Sequence, residues 1–94
     1  MGRGSYKAAK GLIKVDVKVR EDKIKEIQIS GDFFMYPEDS LWELEQALLG
    51  ASARREEILS RVRGFYQKIN LLTPGVVPED FTEAIIRGMN NVTS

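Results

Sequence analysis

The chain has 94 residues, 43% of them hydrophobic and 30% charged, and 14 basic side chains balance 14 acidic ones. This is the composition of one globular domain, not of a disordered tail, and zero net charge weighs against a nucleic-acid binder. Cysteine and histidine are absent, which excludes disulfides, thiolate nucleophiles, cysteine-held clusters and imidazole bases, and removes the usual ligands of zinc.

Charge is unevenly spread. Residues 1–20 hold six basic groups and one acid, while residues 32–46 hold five acids and no base. The simplest expectation is a solvated surface on which the two segments compensate each other. The N-terminal MGRGSYKAAK lacks the apolar stretch of a secretory signal, and no apolar run approaches the ~20 residues of a membrane helix. Cytoplasm is the expected compartment.

In chain order, residues 1–11 read as a flexible arm, loosened by Gly2, Gly4 and Gly11. Residues 12–20 are the clearest strand, with Ile13, Val15, Val17 and Val19 on one face and Lys14, Asp16, Lys18 and Arg20 on the other. Glu21-Asp22 is a tight turn, and Lys23 to Ser30 is the returning strand. Ile24 breaks the parity of Ile27 and Ile29, so a bulge is expected near Lys23–Lys25. Gly31 ends the strand. The adjacent rings of Phe33 and Phe34 should then point to opposite faces.

Ser40 and Glu43 have the spacing of a capping box for a first helix, with Leu41, Leu44 and Leu48 as its buried stripe and Gly50 as its stop. A second helix starts near Ser52 or Ala53 and ends near Ile69, with Ile58, Val62, Phe65 and Ile69 inward. Gly64 inside it costs about 1 kcal/mol relative to alanine. It permits close packing against a neighbour that the sequence does not name. Pro74-Gly75 marks a turn. Pro78, followed by Glu79 and Asp80, starts a last helix. Residues 90–94 should fray. The resulting class is α+β: a small antiparallel sheet, made of the hairpin and a third strand drawn from the arm or from residues 71–77, covered on one face by about three helices.

Chemistry is thinly provided. Asp32 beside Phe33 would suit acid–base work if it were buried, and would otherwise cap backbone N–H groups after Gly31. No catalytic, cofactor-binding or metal-ligating residue is assigned. Phe33, Phe34, Met35 and Tyr36 are too many large side chains for so small a core. Asp32, Phe33, Phe34 and Tyr36 are therefore the candidate partner contacts, with Lys14 and Lys18 as a second, basic patch.

The order of Gly11-Leu12-Ile13-Lys14-Val15, Lys23-Ile24-Lys25-Glu26-Ile27, Ser30-Gly31-Asp32-Phe33-Phe34, Leu44-Glu45-Gln46-Ala47-Leu48-Leu49-Gly50 and Pro74-Gly75-Val76-Val77-Pro78-Glu79-Asp80-Phe81 resembles the C-terminal accessory domain of lipoate–protein ligases. The likeness covers roughly residues 10–88, and the domain is taken as 12–89. With its own Met1 and no catalytic domain, the chain is similar to the split, archaeal-type form, although a piece of a fused enzyme would read the same. The resemblance implies a fold like that of iron–sulfur scaffold and sulfur-acceptor proteins, without their cysteine chemistry. It also implies a non-catalytic role beside a large catalytic subunit in a heterodimer. That complex uses ATP, Mg and lipoate to make lipoyl-AMP, then serves lipoyl carriers such as dihydrolipoyl acyltransferase and the glycine cleavage H protein. This chain would bind no cofactor itself. The alternative reading is a free-standing protein- or nucleic-acid-binding module with no part in ligation.

Overall fold

The computed structural model describes residues 2–91. Three strands, β1 (Gly2–Ala8), β2 (Gly11–Arg20) and β3 (Lys23–Asp32), form an antiparallel sheet in the order β1-β2-β3. Three helices follow: α1 (Ser40–Leu48), α2 (Arg55–Ile69) and α3 (Pro78–Asn90). The class is α+β, as the sequence reading has it. The expected arm over residues 1–11 is corrected: Gly2–Ala8 pairs with Gly11–Val17 as an edge strand. Of the expected frayed tail, Asn90 closes α3 and Asn91 is its C-cap, while residues 92–94 lie outside the described residues.

The hairpin behaves as its residues dictate. Glu21 and Asp22 both take positive φ, 55° and 61°, the primed-turn geometry that matches strand twist. The register shifts between Lys18 and Val19, so that Lys18 faces Glu26 and Val19 faces Ile24. Lys25 is the bulged residue, and the bulge turns Ile24 inward with Ile29. Ile13, Val15 and Val17 line the same buried face. The opposite face, which carries Lys14, Asp16 and Lys18, stays open.

α3 lies against β1 and β2, α1 beside β3, and α2 packs on α1 and α3. Pro78 opens α3, and the Asp80 carboxylate accepts the Val77 N–H at 2.8 Å. Arg55–Glu83 and Arg63–Glu79 pairs, each 2.8 Å, tie α2 to α3. Arg61 reaches across from α2 to α1. It donates to the Ala47 and Leu49 carbonyls at the end of α1, where a cation suits the helix dipole. The capping box expected at Ser40 and Glu43 does not form. Asp39 is the N-cap without a side-chain hydrogen bond, and Ser40 is buried as the first helical residue.

Both sheet edges are occupied by polar groups, which blunts edge-to-edge pairing. On β3, Glu45 accepts the Ile29 N–H at 2.6 Å, and Ile24 exchanges backbone hydrogen bonds with Gly50 and Ala51. On β1, Asn91 donates to the Arg3 carbonyl and Arg87 to that of Ser5. The expected compensation between the basic N-terminus and the acids of residues 32–46 is not formed. Among the described residues no ion pair joins them, because Arg3 is held by Asp16 within the sheet and Glu45 by the edge of β3.

Tyr66 gives the fold a pH dependence. Its hydroxyl lies 2.7 Å from Thr73 Oγ1, which itself donates to the Val76 carbonyl at 2.8 Å. Burial raises the phenol above its ordinary 10.0, since desolvation disfavours the phenolate. A folded value above the unfolded one means that its stabilisation is complete below pH 10 and is lost as pH rises through the folded value. Thermal melts of wild type above pH 10 should therefore decline more steeply than those of Tyr66→Phe. Parallel decline of the two would show that the phenol is not held in this environment.

Candidate functional site

Where β3 ends, the chain crosses to α1 in an extended run. A Cβ on Gly31 would land on the Leu12 carbonyl oxygen of the paired strand, so glycine is what lets β3 pair to its end. Beyond it the side chains alternate as an extended chain requires. Phe33 turns inward and meets Phe81 edge-on, with ring centroids 5.4 Å apart and planes at 83°. Met35 is buried. Phe34 and Tyr36 turn outward and are 69% and 49% exposed. Phe81 is fully buried and also faces Tyr66, at 6.4 Å.

The segment is tied to the α2–α3 connection. Tyr36 and Leu72 exchange N–H···O bonds, each 2.9 Å. This single bridge is all that residues 71–77 contribute to strand pairing. Leu72 is exposed beside Tyr36. A groove of about 470 Å³ runs past Ile29, Phe33, Phe34, Met35, Tyr36 and Leu41, with Glu38 at its rim.

The six residues singled out in the sequence are divided by the fold. Asp32, Phe34 and Tyr36 share the exposed end of β3. Asp32 is exposed, and no hydrogen bond of its carboxylate to the backbone forms among the described residues. Phe33 belongs to the core side, through Phe81. Lys14 and Lys18 stand on the open sheet face and do not line this groove. Sequence reasoning missed Leu72. Its signal was the left-handed Asn70 that ends α2, with φ of 53°, and turns the following pair so that Leu71 is buried and Leu72 is not.

A second groove, of about 630 Å³, lies between α1 and α2. Trp42, 65% exposed, forms one wall with Glu43, Gln46 and Ala47; Arg61, Phe65, Lys68 and Ile69 form the other, with Gly64 between. The expected close neighbour of Gly64 is not found among the described residues, because a Cβ there would meet nothing within 4 Å. Among the described residues no group of three or more His, Cys, Asp or Glu is placed to hold a metal ion, and no helix is long and apolar enough to cross a membrane.

Residues 3–85 match the family described as bacterial lipoate protein ligase C-terminus. A relative from Thermoplasma acidophilum, lipoate-protein ligase A subunit 2, is 49% identical over 81 residues, which span 86% of this chain and 83% of the relative. Among solved structures, a chain from an archaeal bi-partite lipoate protein ligase and its E2 lipoyl domain, also from Thermoplasma acidophilum, superposes with a TM-score of 0.81 at 48% identity. It covers 88% of this chain and 91% of its own length.

Proposed function

The chain belongs to the lipoate protein ligase C-terminus family, and on that footing we propose that it is the non-catalytic accessory subunit of a two-part lipoate–protein ligase. The observation that carries this reading is the 49% identity, over most of both chains, to a ligase subunit. The exposed cluster of Phe34, Tyr36 and Leu72 is what such a subunit needs, since clustered aromatics at an element boundary make interface anchors. We assign Asp32, Phe34 and Tyr36 to the contact with the large catalytic subunit, joined by Leu72. Asp32, exposed at the end of β3, and Glu38 at the groove's rim call for basic residues opposite. Lys14 and Lys18 on the open sheet remain a weaker second patch. The complex works in the cytoplasm, and its product goes to lipoyl carriers such as dihydrolipoyl acyltransferase and the glycine cleavage H protein.

The chemistry belongs to the large subunit, with ATP, Mg and lipoate. The lipoate carboxylate attacks the α-phosphorus of ATP, and pyrophosphate leaves. A carrier lysine amine then attacks the acyl carbon of lipoyl-AMP, and AMP leaves. The intermediate is a mixed anhydride, so the site must order its loops and exclude water before it forms. A subunit that binds only the ordered arrangement shifts the population toward it, by as much as its affinities for the two arrangements differ. No observation favours a nucleic-acid module.

Pyrophosphate release from ATP and lipoate by the large subunit, with and without this chain, tests the role. Release that depends on the chain and saturates at equimolar addition is the expected result. Equal release without the chain would overturn the activating role.

A further inference from the structure

Nothing among the described residues requires Gly64 to be a glycine. It sits within a regular fifteen-residue helix, it is exposed, and its missing Cβ would have open space around it. Gly4 and Gly31, by contrast, are explained by backbone pressed against them. What Gly64 clears is the floor of the α1/α2 groove, between Trp42 and the Phe65–Ile69 wall. Lys68 and Glu43, one on each wall, enter no ion pair among the described residues, whereas Arg61 is held by Glu57 and Arg63 by Glu79.

We propose that this groove is the second half of the docking surface for the large catalytic subunit, and that it receives an apolar side chain which that subunit presents. The inference rests on the accessory-subunit reading. Continuity and area commit it to that occupant. Leu41 lines the groove beside Phe34, and the next residue, Trp42, lines this one. Ile69 lines this one, and Leu72, shortly after it, is hydrogen-bonded to Tyr36. Phe34, Tyr36, Leu72 and Trp42 together leave roughly 500 Å² of side-chain surface exposed. A standard interface covers roughly 800 Å² per partner, a little over half of it apolar. Without Trp42 the patch loses about a third of that surface and falls short of one interface.

The test is calorimetric titration of the chain into the large subunit from the same genome, together with melts of the free chain. Gly64→Ala should raise the free chain's Tm by about 4 °C, since the helix gains and nothing clashes, yet weaken binding about threefold. Gly64→Leu and Trp42→Ala should each weaken it about 30-fold, the size of an anchor loss. Trp42 is exposed, so its variant keeps the fold. Wild-type affinity in Gly64→Leu alongside weakened binding in Phe34→Ala would overturn the groove assignment and leave the accessory role standing. A wild-type chain that does not bind the large subunit at all would overturn both. If the substitutions instead disrupt self-association of the free chain, or only its binding to a purified lipoyl carrier domain, the groove has a different occupant and the proposal falls.

Discussion

Gly4→Ala is expected to destabilise the chain by about 3 kcal/mol, at the upper end of what overpacking costs, and to lower Tm by about 15 °C. The cause is how closely α3 crosses β1. A Cβ on Gly4 would land on the Gly88 backbone nitrogen, 2.7 Å from the Ala84 carbonyl oxygen and 2.8 Å from the Arg87 carbonyl carbon. All three are backbone atoms of one helix, so no side chain can swing aside, and α3 would have to lift off the sheet. Lifting it loosens Phe81, Ala84 and Ile85, all fully buried. The facing glycine gives an internal control. A Cβ on Gly88 would meet a Val17 methyl at 3.0 Å, a contact that a few tenths of an ångström of movement relieve, and alanine adds about 1 kcal/mol of helix propensity. Gly88→Ala should therefore come out near neutral. Differential scanning calorimetry of both variants decides the matter. A Gly4→Ala protein that melts with wild type would mean that α3 does not rest on the β1 backbone.

The same crossing explains why β1 was not legible as a strand while β2 was. β2 announces itself through Ile13, Val15 and Val17 alternating with charged residues. The positions of β1 that share a face are Gly2, Gly4, Tyr6 and Ala8, and three of these are small because a helix backbone needs the room. A strand that buries almost no side chain carries no period-2 hydrophobic signal, and its glycines read as looseness. The bulge was legible because Ile24 falls out of step with Ile27 and Ile29 in the sequence itself. The acid-rich segment misled for a different reason. Charge totals say nothing of direction, and the sheet edge claims Glu45 before any lysine can. The site was half legible. Period-2 alternation states that Phe33 and Phe34 diverge, but which of them faces inward depends on Phe81, nearly fifty residues away. The groove at Gly64 required α1 and α2 to be placed side by side.

That divergence yields the second large effect. Phe34→Asp should weaken binding to the large subunit about 100-fold, the loss expected of a central aromatic anchor, with pyrophosphate release falling in step at subsaturating chain. The free chain should melt as wild type does, because a ring that is 69% exposed contributes little to the core. Phe33→Ala should show the opposite pattern. The half-buried ring gives up its edge-on contact with Phe81 and leaves a cavity against a fully buried neighbour. A loss of about 2 kcal/mol follows, with pyrophosphate release restored once enough folded chain is added. The pair separates two explanations for aromatics at the end of β3. If both variants lose stability and neither loses affinity, the rings close the core and the docking surface lies elsewhere. If Phe34→Asp alone loses affinity, with Tm unchanged, the strand end presents one ring to each side: Phe33 to hold α3 and Phe34 to hold the ligase.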